Sequence, residues 1–240
     1  MPASGARDME MCASWSGPHA WPGFERQGGP ASLPSHSGVY LWTFECQDGY
    51  LIYVAGLTRR PFRQRFQEHT RLYLSGDYTV LDVAQLKNGV RSEIWHGWGW
   101  NAAKRAEFAE RRGEIEEAAQ RQLAACRVFV TDVALRGRVP ERLEAAIMNC
   151  LYAAPAPFCD VPDKGMMLAP KWDSEEPICV WNACGSKLRS LWPLKLSRCS
   201  RRGKKARRMP PTVKWSRTAS ALLCTDGQSV SMSVRPGRIG

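Results

Sequence analysis

Five side chains suited to moving a proton, holding an anion or binding a cation follow one another at wide intervals along this chain. They are Tyr40, Tyr53, Arg65, His69 and Glu144. An arginine fork fits phosphate oxygens, and a glutamate offers the hard oxygen ligand that Mg²⁺ prefers. A phenol or an imidazole can carry the proton of an attacking water. The set therefore contains the chemical parts needed to hydrolyse a phosphodiester bond.

Two segments with strand composition carry the tyrosines. Residues 38–44 mix β-branched and aromatic side chains and end before Gln47-Asp48-Gly49, which is a turn signal. Residues 50–55 have the same composition. The pattern predicts an antiparallel hairpin.

Helical patterns follow the hairpin. Pro61 suits the first turn of a helix on which Arg65 and His69, four residues apart, share a face. Residues 102–125 are rich in Ala, Glu and Arg, which favours a long helix. Residues 127–134 alternate like a strand. Pro140 starts a last helix to residue 152, with Glu144 beside its apolar stripe.

This order of elements and residues resembles the GIY-YIG nuclease superfamily over residues 37–152. Gly38-Val39-Tyr40 matches the first signature, and Tyr53-Val54-Ala55-Gly56 matches the second with one residue added before the glycine. The resemblance implies an α+β fold, in which helices flank a small three-stranded antiparallel sheet. It also implies a one-metal endonuclease that uses Mg²⁺ or Mn²⁺ to cleave DNA.

The resemblance assigns roles to single positions. It makes Glu144 the metal ligand and Arg65 the residue that neutralises the phosphate. Residue type suggests the other roles. Tyr40 could pass on the proton of the attacking water if a nearby cation lowers its pKa, and Tyr53 could orient that water or contact the phosphate. His69, whose reference pKa is nearest to neutrality, could take the proton directly. Many members carry a late asparagine, for which Asn182 and Asn149 are the candidates.

Positive charge is concentrated at the end of the chain. Residues 1–186 hold 20 Lys and Arg against 22 Asp and Glu, a net charge of −2. Residues 187–240 hold 14 Lys and Arg and one acid, a net charge of +13. A basic arm on a near-neutral body is typical of nucleic-acid binding, with DNA as the expected partner and RNA as an alternative. The basic residues predicted to hold it are Arg59, Arg60, Arg63, Arg201, Arg202, Lys204, Lys205, Arg207 and Arg208.

Composition divides the chain into four parts. Residues 1–36, rich in Gly, Pro, Ala and Ser, predict an irregular leader with Trp15 and Trp21 packed on the body. The nuclease-like domain spans 37–152. Residues 153–190 predict a coil-rich extension packed on it, with Trp172, Ile178 and Trp181 as anchors. Residues 191–240 predict a disordered basic tail.

Each residue also has an ordinary interpretation, in packing or surface ion pairing, and two other functions stay open. One is a nucleic-acid-binding protein that keeps the fold without cleaving. The other is an adaptor that binds through Trp95, Trp98 and Trp100. The same three rings, with the glycines between them, could instead form a stacking platform for bases, although core packing is their simpler role.

The nine cysteines are odd in number and contain no Cys-x-x-Cys pair. They favour reduced thiols and a cytoplasmic location over a disulfide framework. The absence of an apolar run of 18 residues predicts no membrane partner.

Overall fold

The computed structural model describes residues 9–132, 137–170, 172, 174–175, 178–189 and 194–196. The helices in this part of the chain are α1 (Phe62–Leu74), α2 (Val83–Lys87), α3 (Ala102–Ala125) and α4 (Val139–Tyr152). The strands are β1 (Met9–Ala20), β2 (Gly38–Cys46), β3 (Gly49–Thr58), β4 (Val80–Leu81), β5 (Glu93–Trp95), β6 (Arg127–Thr131), β7 (Ile178–Cys184), β8 (Leu188–Arg189) and β9 (Leu194–Leu196).

The fold is α+β and is built on a mixed sheet of seven strands in the order β8-β3-β2-β6-β1-β7-β9. The three predicted strands are present as antiparallel neighbours, β3 with β2 and β2 with β6. The predicted small three-stranded sheet is nevertheless wrong. β1 pairs with β6 and extends the sheet to β7 and β9, while β8 pairs with β3 on the other side.

Residues 21–36 contain turns, bends and one isolated bridge, but the prediction of an irregular leader is wrong for residues 9–20, which form β1. Its side chains alternate along the strand, with Ala13 and Trp15 buried and Cys12, Ser14 and Ser16 exposed. This period of two is the signature of a strand with one covered face. The Gly and Pro content around it hid that pattern in the sequence.

Trp21 is 1% exposed, which confirms that it packs on the body. Its ring makes edge contacts with Trp42 at 5.1 Å and with Phe66 at 4.7 Å between centroids. Its indole N–H donates to the Thr70 hydroxyl at 2.8 Å. The N-terminal segment therefore supplies a central part of the core between β2 and α1.

Helices cover the two faces of the sheet. Phe62 and Phe66 of α1 and Ile115 of α3 lie in the core cluster on one face. Leu143 and Ile147 of α4 lie in the cluster on the other face. α1 and α4 therefore lie on opposite faces of the sheet. Side chains from the two helices can come together beyond the end of β3.

The predicted coil-rich extension contains β7 and β8. Val161 is buried in the core, so part of the extension does pack on the domain. The prediction that Trp172 and Trp181 anchor the extension is wrong, because both side chains are about half exposed. The Arg138 guanidinium lies 3.6 Å from the centre of the Trp172 ring. The side chain of Ile178 and residues 197–240 lie outside the described part of the chain, whereas 194–196 of the predicted tail form β9.

Residues 72–101, which lack a clear pattern, contain the short helix α2 and the β4–β5 pair. Within the described residues, no helix combines the length and the apolar character that a membrane crossing needs.

Replacing Trp21 should test the N-terminal contribution to the core. Trp21→Ala removes a buried ring and its hydrogen bond, and we expect it to lower the free energy of unfolding by about 3–5 kcal/mol. Urea denaturation followed by circular dichroism measures this loss. Trp181→Ala, which truncates an exposed tryptophan, serves as the control; equal effects of the two changes would contradict the packing role of Trp21.

Candidate functional site

A cleft of about 320 Å³ opens at the edge of the sheet beside β3. Tyr40 of β2, Tyr53 of β3, Arg65 and His69 of α1, and Glu144 of α4 all line it. The structure thus brings together the five residues singled out from the sequence, although they come from four elements. Arg65 and His69 meet there because the helical spacing of four puts them on one face.

Gly56 makes room for the Tyr40 ring. The two residues are register partners in the β2–β3 pair. A Cβ atom at position 56 would lie 2.5 Å from the Tyr40 hydroxyl oxygen, closer than any packing allows. Glycine at this position therefore lets the phenol lie across the strand and reach the cleft.

Gly38, at the start of β2, must be a glycine for a different reason. Its φ is +153°, and a Cβ atom there would collide with the Thr131 carbonyl oxygen of β6. The glycine allows β2 to begin close against β6.

β3 contains a bulge at Tyr53, directly before the Val54-Ala55-Gly56 run. Trp42 pairs with Val54, whereas Thr43 pairs with Ile52, so Tyr53 has no register partner on β2. Tyr53 and Val54 consequently lie in the same core cluster, on the α1 face of the sheet, while Ile52 lies in the cluster on the other face. The bulge is what puts the second tyrosine on the cleft face.

His69 is buried and bonded at both ring nitrogens. Its Nε2 lies 2.9 Å from the Tyr40 hydroxyl, and its Nδ1 lies 3.1 Å from the Tyr78 hydroxyl. Burial lowers the pKa of His69 to about 3, and the positive charge of Arg65 adds to this effect. The imidazole is therefore neutral near pH 7, contrary to the near-neutral titration expected from its type.

A neutral imidazole has one N–H donor and one acceptor. The Arg65 guanidinium, which can only donate, faces the Tyr40 hydroxyl. The arrangement that suits both groups has Tyr40 donating to Nε2 and Nδ1–H donating to Tyr78. Burial raises the pKa of Tyr40 and Arg65 opposes that rise, so the phenol keeps its proton.

Arg65 is held from its own helix as well. Its Nη1 lies 3.0 Å from a Glu68 oxygen, and the same carboxylate binds Arg60 at 2.5 and 2.8 Å. Arg65 therefore forms an ordinary surface ion pair with Glu68 and also lines the cleft. Glu68 orients the guanidinium.

Glu144 reaches the cleft from the opposite face of the sheet. Among the described residues, β8 pairs with Tyr50 and Leu51 and does not continue along the later part of β3, where the Glu144 side chain passes. Burial raises the pKa of Glu144 to about 7, with a contribution from Glu141, against the opposing effects of the Leu57 backbone N–H and Arg65. A cation beside this carboxylate would favour its charged form.

Tyr53 lines the cleft but has its own neighbours. The Arg91 guanidinium lies 5.8 Å from the centre of the Tyr53 ring. Burial raises the pKa of the Tyr53 phenol, and the negative charge of Asp163 adds to that rise. The positive charge of Arg91 opposes it. Arg91 also donates to the carbonyl oxygens of Val161 at 2.9 Å and Pro162 at 3.3 Å. Tyr53 thus lies at the end of the cleft that Asp163 lines.

The residues that sequence reasoning missed are Tyr78, Arg91 and Asp163. Trp98 belongs to the tryptophan-rich segment for which packing, base stacking and adaptor binding are the alternatives, and the sequence does not distinguish it from Trp95 and Trp100. Tyr78 and Asp163 lie in connecting segments, where no local pattern indicates what their side chains contact. Only the folded path of these loops brings them to His69 and Tyr53.

The predicted nucleic-acid contacts are only partly described. Arg59 bonds Glu141 at 2.8 Å, Arg60 bonds Glu68, and Arg63 is exposed on α1. Arg201, Arg202, Lys204, Lys205, Arg207 and Arg208 lie outside the described residues.

Neither asparagine candidate lines the cleft. Asn182 on β7 accepts a hydrogen bond from the Trp15 indole at 2.9 Å, and Asn149 is exposed on α4.

The three tryptophans of residues 95–100 have different surroundings. Trp95 is buried and donates to the Gly76 carbonyl oxygen at 2.7 Å, and Trp100 packs against it. Packing therefore describes these two rings. Trp98 is 45% exposed and lines the cleft.

Over the described ranges, no three His, Cys, Asp or Glu side chains gather closely enough to hold a metal ion. Comparison with family models, curated proteins and solved structures gives no match to this chain.

The buried neutral histidine should give stability a defined pH dependence. An unfolded histidine titrates near ~6.5, above the folded value of about 3, so the unfolded chain binds more protons between these limits. The contribution of His69 is full above pH 6.5 and is lost as pH falls toward 3. We expect the stability advantage of wild type over His69→Gln to shrink by roughly 1–2 kcal/mol between pH 7 and pH 5.

Urea denaturation of both proteins at the two pH values measures this change. Glu144 acts in the opposite direction, because its raised pKa makes its burial less costly as pH falls. Both proteins contain Glu144, so its contribution cancels in the difference between wild type and His69→Gln. An advantage that does not change with pH would contradict a neutral, buried His69.

Proposed function

We propose that this protein is a Mg²⁺-dependent endonuclease that cleaves DNA by a one-metal reaction of the GIY-YIG type. The observation that carries the proposal is the convergence of Tyr40, Arg65 and Glu144, from three elements, on one cleft over Gly56. The glycines of both signatures occupy positions where a side chain would collide with the neighbouring strand. The resemblance and the geometry thus support the same function.

The donor set of the cleft suits Mg²⁺. This ion keeps several waters and binds through one or two carboxylates, so the single carboxylate of Glu144 can hold it. Mn²⁺ accepts the same oxygen ligands. When bound, the ion would act as a Lewis acid on the phosphate oxygens.

The protein side chains provide the rest of the chemistry. Arg65, oriented by Glu68, would bind the phosphate oxygens as their negative charge grows. A water oxygen would form a bond to phosphorus while the bond from phosphorus to the leaving oxygen breaks. Tyr40 is the side chain suited to receive the proton of that water.

Tyr40 can receive this proton only if it releases its own. The hydrogen-bond order supports transfer of the phenol proton to Nε2 of His69, with the Nδ1 proton passing to the Tyr78 hydroxyl. Tyr78, which is partly exposed and lines the cleft, would release its own proton to water there, and the leaving oxygen would take a proton from the same water. With a pKa of about 3, His69 does not store a positive charge. It gains one proton as it gives up the other, so it acts as a relay and not as a base that holds the proton.

Replacing Glu144 tests the metal site. Glu144→Gln keeps the size of the side chain but removes its charge, and we expect Mg²⁺-dependent nicking of supercoiled plasmid to fall ~100-fold. Binding of DNA in EDTA should stay close to the wild-type value. Nicking is measured by gel electrophoresis at low salt with Mg²⁺ and with EDTA.

Glu114→Gln is the control, because Glu114 is an exposed acid of α3 that pairs with Arg111 and does not line the cleft. It should nick at nearly the wild-type rate. Undiminished cutting by Glu144→Gln would rule out the proposed site.

Replacing Tyr78 tests the relay. Tyr78→Phe keeps the ring but removes the hydroxyl that bonds Nδ1, and we expect the rate of nicking at saturating protein to fall about tenfold. DNA affinity should not change. An unaltered rate together with an unaltered pH profile would show that the proton leaves by another path.

A second candidate is a nucleic-acid-binding protein that does not cleave. It is favoured by the raised pKa of Glu144, about 7, which leaves this carboxyl partly protonated at neutral pH. Plasmid that is retarded in a gel but not cut with Mg²⁺ would support it. A chain that ends at Cys199 keeps β9 but lacks most of the basic tail. It would then bind plasmid more weakly, and its affinity for DNA would fall less steeply with salt concentration.

A further inference from the structure

Trp98 presents a large aromatic ring at the cleft while remaining 45% exposed. Its indole lies beside the Tyr78 ring, with centroids 6.0 Å apart and planes inclined by 34°. Met167, which is fully exposed, lines the same cleft. Apolar side chains left in water at the rim of a site mark a surface that a ligand covers.

A second cleft of about 430 Å³ adjoins the first, and the two share Trp98, Asp163 and Gly165. The second cleft is lined by Arg91 and Lys164 and also by the carboxylates of Glu93, Asp160 and Asp163. Its charge therefore does not attract a polyanion, and the phosphate contact lies at Arg65 in the first cleft. Because Arg65 and Trp98 line that same cleft, a nucleotide whose phosphate binds Arg65 would have the indole ring among its neighbours.

Polar groups beside the ring are held in place. The Asp163 carboxylate accepts from the Gly165 backbone N–H at 3.0 Å, and the indole nitrogen lies next to Gly165. The Asp163 carbonyl oxygen accepts from the Tyr152 hydroxyl at 2.5 Å, and its backbone N–H donates to the Tyr53 carbonyl oxygen at 3.3 Å. A flat ring beside a fixed carboxylate suits a nucleobase, which has an aromatic face and, in adenine, cytosine and guanine, an exocyclic amino group.

Resting on the proposed nuclease function, we infer that Trp98 is a stacking platform for one unpaired base next to the phosphate that is cleaved. A base within a duplex has both faces covered by its neighbours. An unpaired base offers a free face and costs the least to move out of the stack. The preferred substrate is therefore DNA with an unpaired nucleotide, such as a bulge, and not a uniform duplex.

Binding measured in EDTA tests this platform without cleavage. Fluorescence anisotropy would compare a labelled duplex that is fully paired, the same duplex with one bulged nucleotide, and the same bulge carrying an abasic nucleotide. We expect wild type to bind the bulged duplex about tenfold more tightly than the other two. Trp98→Ala should remove this preference, and Trp98→Tyr, which keeps an aromatic face, should retain most of it.

Trp181→Ala is the matched control, because Trp181 is 50% exposed but lies on β7 and does not line the cleft. It should bind all three duplexes as wild type does. Equal wild-type affinity for the paired and bulged duplexes would overturn the platform. A preference that survives Trp98→Ala or persists with the abasic bulge would overturn it too, since the protein would then recognise the bend.

The two proposals fail separately. A protein that nicks plasmid through Glu144 but shows no preference for the unpaired base is a nuclease without this platform. A protein that prefers the unpaired base but does not nick plasmid with Mg²⁺ has the platform and lacks the proposed reaction.

Discussion

The close approach of the Tyr40 ring to the backbone of Gly56 is the contact on which the cleft depends. It requires a glycine on β3 opposite the tyrosine, and the bulge at Tyr53 directs the second tyrosine to the same face. With the phenol across the strand, its hydroxyl lies within reach of His69 on α1 and beside Arg65. Glu144 then completes the set from the far side of the sheet, where β8, over the described residues, does not continue along the later part of β3.

Burial acts on each ionisable group of the cleft in the same direction, against charge. It raises the pKa of Tyr40 and Glu144 and lowers that of His69. Arg65 stays positive because its reference pKa is too high to be reversed by its surroundings. Among the described residues that line it, Arg65 is the one cation of the cleft. Burial around Arg65 makes its attraction for an anionic ligand stronger than it would be in water.

Local patterns predicted the elements that carry the catalytic candidates. α3 has the predicted bounds and α4 begins one residue early, because propensity and Pro140 act within the helices themselves. β1 was missed because its partners are residues 127–130 and 178–184, which no local pattern can indicate. The roles of Tyr78 and Asp163 depend on loop paths set by tertiary contacts, such as those of Arg91 with residues 161 and 162.

The place of β1 between β6 and β7 has a consequence for folding during synthesis. The strand leaves the ribosome more than a hundred residues before the first of its two partners exists. Until then Ala13, Trp15 and Trp21 have no native neighbours from the later strands, and the sheet cannot close. Such non-local pairing gives a high contact order and slow folding, and it leaves the early hairpin and helices exposed to association with other nascent chains.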